Sequence, residues 1–125
     1  PKQIVIYCGE NDLASNDSVT SMIVFKRFQT LFNMIREKLP NTSVVFVSIK
    51  PSPSRTKLLD EMQNANALIK AFLAGKSNTA YVDVFNKMIK KGKIREELFR
   101  EDKLHMTDKG YAIWQKAIKP YLLKD

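Results

Sequence analysis

Short, almost continuous apolar segments alternate along the chain with longer segments in which apolar residues recur every three or four positions. The short segments are rich in β-branched residues and predict buried strands at residues 3–8, 42–49 and 79–84. The first of them ends at Gly9. The second has near-continuous apolar character, which is typical of a parallel strand covered on both faces. The pattern therefore indicates a parallel sheet between layers of helices.

Three longer segments have the spacing of amphipathic helices. The first runs from about Ser18 to Lys38, with Asn16 or Asp17 as a candidate cap. Its apolar stripe consists of Val24, Phe28, Leu31, Phe32, Ile35 and Leu39. The second helix ends at Gly75 and carries Leu58, Met62, Ala65, Ile69 and Phe72. The last is capped by Thr107, and its predicted inner face comprises Tyr111, Trp114, Ile118, Tyr121 and Leu122.

The remaining segments are predicted to be short or irregular. A short helix is expected over residues 86–90, ended by Lys91-Gly92, and residues 93–106 are expected to be irregular with one turn near 96–99. The element order is then β-α-β-α-β-(α)-α. Strands alternating with helices predict an α/β fold, a three-layer α/β/α sandwich. The length of 125 residues fits a single domain, spanning residues 1–125.

Composition narrows the class of protein further. Hydrophobic residues make up 44% of the chain, which is enough for a packed core, and no apolar run is long enough to span a bilayer. A lone cysteine, Cys8, excludes an internal disulfide and a cysteine-based zinc cluster. The net charge of +8 is spread over predicted helix faces with acidic residues interleaved, which favours a solvated surface over a nucleic-acid site. The sequence leaves the cellular compartment open, with periplasmic, secreted and cytoplasmic locations all allowed.

Polar residues that can carry chemistry follow the predicted strands, at the end of a parallel sheet where ligands bind. His105 is the only histidine, and Asp102 precedes it by three residues, a spacing that lets a carboxylate reach the imidazole in a turn. Asn11 lies two residues after Gly9, where its amide can donate to a developing oxyanion. Ordinary structural roles compete with each interpretation: Asp-x-x-His occurs by chance, and Asn11 can form an Asx-turn.

Three segments together resemble a known family, the SGNH hydrolases or GDSL-like lipases and esterases. Residues 5–13 (VIYCGENDL) resemble the family's Gly-x-Asn-Asp block, and residues 101–111 (EDKLHMTDKGY) resemble its terminal Asp-x-x-His block with a trailing Gly-Tyr. Residues 48–55 (SIKPSPSR) are similar to the loop after the fourth strand in bacterial GDSL-type members. The resemblance covers essentially the whole chain, in the family's order, and implies a flavodoxin-like α/β/α sandwich.

The resemblance implies a serine ester hydrolase with a Ser-His-Asp mechanism, acting on small acyl esters such as acetyl esters without metal or cofactor. His105 would be the general base and then the acid, oriented by Asp102, while Asn11 would contribute to the oxyanion hole. Gly9 and Asp12 would support the Asn11 segment. The substrate loop would include Lys50, Pro51 and Arg55.

One family feature is missing from these residues. The family's nucleophilic serine lies in a strand-to-helix turn ahead of the Gly-x-Asn-Asp block, and Ser15, Ser18 and Ser21 all follow Gly9. We therefore expect the nucleophile upstream of Pro1, and the fold to be incomplete at its N-terminal side. The strand at residues 3–8 would then expose an unpaired edge, to be covered by an N-terminal segment of the same domain or by a second chain.

Two other functions compete with the esterase interpretation. A catalytically inactive relative could bind a carbohydrate or acyl ligand, although the intact Asn11, Asp102 and His105 argue against decay. A flavodoxin-like binder of phosphate or nucleic acid would suit the positive charge. It would need a glycine-rich loop to hold phosphate, and the four glycines are isolated from one another.

Overall fold

Three parallel strands form the central sheet of the computed structural model, which describes residues 1–123. They lie in the order β1 (Gln3–Ile6), β2 (Ser43–Val47) and β3 (Thr79–Val82). Each strand ends two residues before its predicted end, although the apolar pattern continues into the core. After β2 and β3 the reason is that side chains replace strand partners: Asn66 Oδ1 accepts the Ile49 N–H at 2.8 Å, and Ser48 Oγ accepts the Val84 N–H at 2.9 Å.

Four α-helices accompany the sheet: α1 (Glu10–Ser15), α2 (Ser21–Lys38), α3 (Leu59–Ala74) and α4 (Asp108–Ile118). Short 3₁₀ turns occur at Pro53–Leu58, Asn86–Met88, Glu96–Leu98 and Lys119–Tyr121. Helix α1 was missed by the sequence analysis, which treated its residues as a polar connection. The predicted caps of α2 were also wrong, because Thr20 caps this helix and accepts the Ile23 N–H. Asn16 instead accepts the Ser18 N–H at 2.9 Å and closes the turn between α1 and α2.

The helices cover both faces of the sheet, which confirms the predicted α/β/α layering. Alternate residues of β2 face opposite sides: Val44 and Phe46 pack with Phe28 of α2 and Ile69 of α3, and the neighbouring valines pack toward α4. A third cluster lies beyond the carboxyl ends of the strands, between α1, α2 and α3. Its buried members are Leu13, Val24, Ile49, Met62, Ala65 and Phe85. That cluster supports the end of the sheet on which the predicted site residues lie.

The segment after β3 is more regular than the sequence predicted. The expected helix over 86–90 is one 3₁₀ turn, followed by a two-stranded antiparallel hairpin, β4 (Ile89–Lys90) and β5 (Lys93–Ile94). Lys91 and Gly92 both have positive φ, 52° and 77°, so they form the hairpin's tight turn. The two-residue strands are too short to show a hydrophobic period in the sequence.

Helix α4 begins as predicted, because Thr107 caps it and accepts the Gly110 N–H. Its predicted inner face was partly wrong. Tyr111, Tyr121 and Leu122 are each more than 40% exposed, and Leu31 on α2 is also largely exposed. The contacts with the sheet come from Ala117, Trp114 and Ile118. None of the helices within residues 1–123 is long and apolar enough to cross a membrane.

Candidate active site

One cleft of about 530 Å³ lies at the carboxyl ends of the strands and is lined by all three segments singled out in the sequence. The segment after β1 contributes residues 7–12, the segment after β2 contributes Lys50 and Arg55, and the turn before α4 contributes residues 104–106. Asn11 and His105, which are 94 positions apart in the sequence, therefore line the same cleft. Tyr111 and Trp114 of α4 complete its wall.

Gly9 caps α1 and closes the short connection from β1. Its φ of 110° lies in a region that L side chains rarely adopt, and a Cβ atom would meet Ile49 Cδ1 and Val24 Cγ1, each at 3.0 Å. Only residues 7–9 separate the strand from the helix. Asn11 consequently lies in the first turn of α1 and does not form the Asx-turn that was its alternative structural role.

The Asn11 amide contacts the loop after β2. Arg55 Nη1 donates to Asn11 Oδ1 at 3.1 Å and to Glu10 Oε2 at 3.0 Å. Arg55 lies in a 3₁₀ segment begun by Pro53, in which its own backbone departs from helical geometry. A single guanidinium nitrogen thus joins the two neighbouring side chains at the start of α1.

Asp102 and His105 form the carboxylate–imidazole pair that the sequence predicted. Asp102 Oδ2 lies 2.6 Å from His105 Nδ1, and Asp102 Oδ1 accepts the backbone N–H groups of Leu104 and His105, each at 2.9 Å. The hydrogen bond from His105, with those from the two backbone N–H groups, lowers the pKa of Asp102 to about 2. Lys103 has a φ of 58°, which closes the turn that brings the carboxylate back to the imidazole.

A buried carboxylate, missed by the sequence analysis, supports this region. Glu10 is 4% exposed, and both of its oxygens are used. Tyr7 Oη and Lys50 Nζ donate to Oε1 at 2.7 and 2.5 Å, while Ser52 Oγ and Arg55 Nη1 donate to Oε2 at 2.6 and 3.0 Å. Burial alone would raise the pKa of Glu10, but the hydrogen bonds from Lys50, Ser52 and Tyr7 outweigh it and lower the pKa.

The sequence contained a usable signal for this network. Glu10 follows one parallel strand directly, and Lys50 and Arg55 follow the neighbouring strand, so opposite charges meet where adjacent strands end. Burying a carboxylate costs free energy unless cationic or hydrogen-bonding partners such as these surround it. In Tyr7, burial is the main cause of a raised pKa, followed by the nearby Glu10 charge, so its hydroxyl stays a donor.

The other predicted supporting residues differ in their placement. Lys50 and Arg55 line the cleft. Pro51 is buried and does not line it. The residues on either side of Pro51, Lys50 and Ser52, direct their side chains to Glu10 instead. Asp12 lines the cleft and pairs with Arg27 of α2 at 3.6 Å, with both side chains about half exposed. Such an exposed pair contributes little stability.

The lining residues of this cleft, all within the described part of the chain, include no serine. The groups that could act as nucleophiles there are Tyr7, Cys8 and Tyr111. Burial, followed by the nearby Asp12 charge, raises the pKa of the Cys8 thiol, which disfavours the reactive thiolate. Within residues 1–123, no group of three or more His, Cys, Asp or Glu side chains is arranged to hold a metal ion.

Comparison with known proteins identifies the family of this chain. The family model described as GDSL-like Lipase/Acylhydrolase matches residues 1–113. The chain belongs to the GDSL-like lipase/acylhydrolase family. No curated protein matches this family member in sequence.

Solved structures share the family fold. A Streptococcus pneumonia protein whose proposed identity is a platelet activating factor superposes with a TM-score of 0.82 at 21% identity, over 98% of this chain and 60% of that one. A family 3 carbohydrate esterase from Talaromyces cellulolyticus gives 0.80 at 16% identity, over 97% and 56%. A GDSL-like lipase from Bacteroides thetaiotaomicron gives 0.75 at 23% identity, over 97% and 62%. The chain therefore has the GDSL-like fold and spans about three fifths of the length of these proteins.

Proposed function

We propose that this chain supplies the acid–base and oxyanion groups of a serine ester hydrolase that acts on small acyl esters such as acetyl esters. One observation carries the proposal: Asn11 and His105, the latter hydrogen-bonded to Asp102, line a single cleft at the carboxyl ends of the parallel strands. Membership of an acylhydrolase family and the likeness of the fold to a carbohydrate esterase support the same class of reaction.

Each of the three residues then has a defined task. His105 Nδ1 is engaged by Asp102, which leaves Nε2 to accept the proton of a serine hydroxyl as that oxygen attacks the ester carbonyl. The Asn11 amide donates to the oxyanion that forms on the carbonyl oxygen. The imidazolium returns its proton to the leaving alcohol, and a water molecule, activated by the same imidazole, hydrolyses the acyl-serine.

The nucleophile is proposed to come from a segment that precedes Pro1 and pairs with β1. Strand β1 lies at one edge of the sheet, and its residue Val5 is 44% exposed. A parallel strand added at this edge would end beside Gly9, next to Asn11. The solved relatives are longer than this chain, which leaves room for such a segment.

The test uses the complete protein, meaning this chain together with the segment proposed to precede it. We expect a fluorophosphonate probe to label one serine, located upstream of Pro1, and p-nitrophenyl acetate to be hydrolysed. Replacing His105 with alanine should slow both labelling and turnover on the order of 10³-fold or more. The proposal fails if neither labelling nor turnover is observed, and the upstream position fails if the label is on Ser15, Ser18 or Ser21.

A second candidate follows from the absence of a serine among the described cleft residues. In this candidate the protein is a catalytically inactive module that binds an acetylated carbohydrate or another acyl ligand. It predicts saturable binding of an acetylated sugar by the complete protein, measured by calorimetry, with no probe labelling and no release of acetate.

A further inference from the structure

The hydrogen bond between Arg55 and Asn11 determines how the Asn11 amide is oriented. An asparagine amide has one accepting end and one donating end, and it can rotate by half a turn with little change of shape. A guanidinium has only donors, so the group that faces Arg55 Nη1 at 3.1 Å must be the oxygen. The Nδ2 end then points away from Arg55, and within residues 1–123 it makes no hydrogen bond.

We propose that Arg55 is a positioning residue, which holds the Asn11 amide with its N–H groups available to the substrate oxyanion. This inference rests on the proposed function, because it assigns Arg55 a part in the same reaction. If the amide turned over, its oxygen would face the developing negative charge and repel it. Arg55 prevents this inversion without touching the reacting atoms, which distinguishes its role from that of Asn11.

Arg55 is itself held firmly enough to serve this purpose. The nitrogen that binds Asn11 also binds Glu10, a carboxylate that is 4% exposed and fixed by three further donors. The backbone N–H of Arg55 donates to the carbonyl of Ser52 at 2.9 Å. A side chain fixed at both ends loses little further entropy when it orients a neighbour, which is the requirement for preorganisation.

The same short segment also contacts the other half of the site. The Ser54 N–H donates at 2.9 Å to the carbonyl of Lys103, the residue at the centre of the Asp102–His105 turn. Residues 54 and 55 therefore connect the oxyanion donor to the general base through one backbone and one side-chain hydrogen bond.

Two other roles for Arg55 make different predictions. If Arg55 binds the substrate directly, its loss raises KM and acts independently of Asn11. If it serves only to neutralise Glu10, its loss lowers stability and leaves the Asn11 amide unchanged. A positioning role instead requires that the effect of Arg55 on turnover disappear once Asn11 has no amide to orient.

The kinetic test is a double-mutant cycle in the complete protein with p-nitrophenyl acetate. Arg55→Met, which keeps the length of the side chain and removes its donors, should lower kcat about 10- to 100-fold with KM changed less than about threefold. Asn11→Ala should lower kcat on the order of 10²- to 10³-fold, and the double variant should match Asn11→Ala alone. Fully multiplicative effects, or a change confined to KM, would overturn the inference.

A matched control uses the other arginine that contacts α1. Arg27 pairs with Asp12 at 3.6 Å, and no hydrogen bond joins it to Asn11. Arg27→Met should therefore change kcat less than about twofold, because it removes only an exposed ion pair between α2 and α1. Should Arg55→Met fold poorly, Arg55→Lys retains a positive charge for Glu10 and replaces the planar guanidinium with a compact ammonium group. The cycle is then run with that variant and judged by the same outcomes.

A spectroscopic readout separates this inference from the proposed function. The side-chain amide signals of Asn11, identified by their loss in Asn11→Ala, should move to averaged positions in Arg55→Met and stay in place in Arg27→Met. Unchanged Asn11 signals in Arg55→Met would overturn the positioning role. If the signals move but the complete protein hydrolyses no ester, the proposed function fails while the orientation of Asn11 by Arg55 stands.

Discussion

Asp102 holds His105 by two kinds of contact, a carboxylate–imidazole hydrogen bond of 2.6 Å and a 2.9 Å hydrogen bond to the backbone N–H of the same histidine. Each carboxylate oxygen has its own task, since Oδ2 faces the ring and Oδ1 faces the backbone. A pKa of about 2 keeps Asp102 ionised at any pH at which an imidazole acts as a base. The side chains of His105 and Asp102 are 67% and 48% exposed, so a substrate and a nucleophile can reach the imidazole.

Asp102→Asn should lower kcat of the complete protein on the order of 10³-fold or more. The amide oxygen would stay at the Oδ1 position, where two backbone N–H groups need an acceptor, so the NH₂ group would face Nδ1. Nδ1 must then accept, which puts the ring proton on Nε2 and prevents it from taking the serine proton. Stopped-flow or steady-state ester hydrolysis checks this.

Asp108→Asn is the control for that substitution, because Asp108 is an exposed carboxylate at the start of α4. We expect less than a twofold change in kcat from it. Retention of more than a tenth of the activity by Asp102→Asn would contradict the tautomer argument and the role of the pair.

Glu10→Ala should lower the free energy of unfolding by about 3–5 kcal/mol at pH 7, because it leaves two largely buried cations without their shared partner. Chemical denaturation of the complete protein measures this. Glu97→Ala is the control: Glu97 pairs with Arg95 on the surface, and its loss should leave the free energy of unfolding nearly unchanged.

The stabilisation that Glu10 gives to the folded protein should decrease as the pH falls. The pKa of Glu10 is lower in the folded protein than the value of about 4.3 expected in the unfolded chain. Its stabilisation is therefore complete above that unfolded value and is lost as the pH falls through the folded pKa. The difference in unfolding free energy between wild type and Glu10→Ala should narrow below about pH 4. A difference that stays constant from pH 7 to pH 3 would contradict the assignment.

The sequence predicted the layers of the fold because they depend on repeated apolar positions, such as Phe28 and Ile69 facing Phe46. It also predicted that Asn11 and His105 would lie at the same end of the sheet, because parallel strands bring their carboxyl ends to one edge. It failed where a single contact decides the structure. Helix α1 has only six residues, and its start depends on a positive φ at Gly9. The Glu10 network depends on which way two cationic side chains turn, which no periodicity records.

Gly110→Ala should destabilise the protein by about 1–3 kcal/mol and displace the turn that carries His105. A Cβ atom at this position would lie 2.6 Å from the Leu98 carbonyl oxygen and 2.9 Å from Met106 Cβ, so α4 or the adjacent turn must move. Thermal or urea unfolding gives the stability change, and ester hydrolysis reports the displacement.

Gly75→Ala provides the comparison, because its nearest contact would be an ordinary 3.7 Å and its φ is −90°. We expect it to change the unfolding free energy by no more than about 0.5 kcal/mol. Equal effects of the two substitutions would contradict the assignment of the effect at Gly110 to the close approach of α4 and the Leu98 carbonyl.

The free edge of β1 and the apolar surface beside α4 predict how residues 1–125 behave alone. Tyr111, Trp114, Ile118 and Leu122 line an apolar hollow of about 590 Å³, with Leu122 44% exposed. Unpaired strand edges and exposed apolar patches promote association. We expect the isolated chain to form oligomers that grow with concentration in size-exclusion chromatography with light scattering, and the complete protein to show no such growth.

Leu122→Lys should have opposite effects in the two contexts if the preceding segment covers this hollow. In the isolated chain it removes apolar surface and should reduce association, whereas in the complete protein it buries a charge and should lower the unfolding free energy by about 1–3 kcal/mol. Leu31→Lys is the control: Leu31 is similarly exposed, at 39%, on α2, and should have little effect in either context. Two results would mean that no upstream segment covers this surface. One is an isolated chain that stays monomeric, and the other is a complete protein whose unfolding free energy does not change in Leu122→Lys.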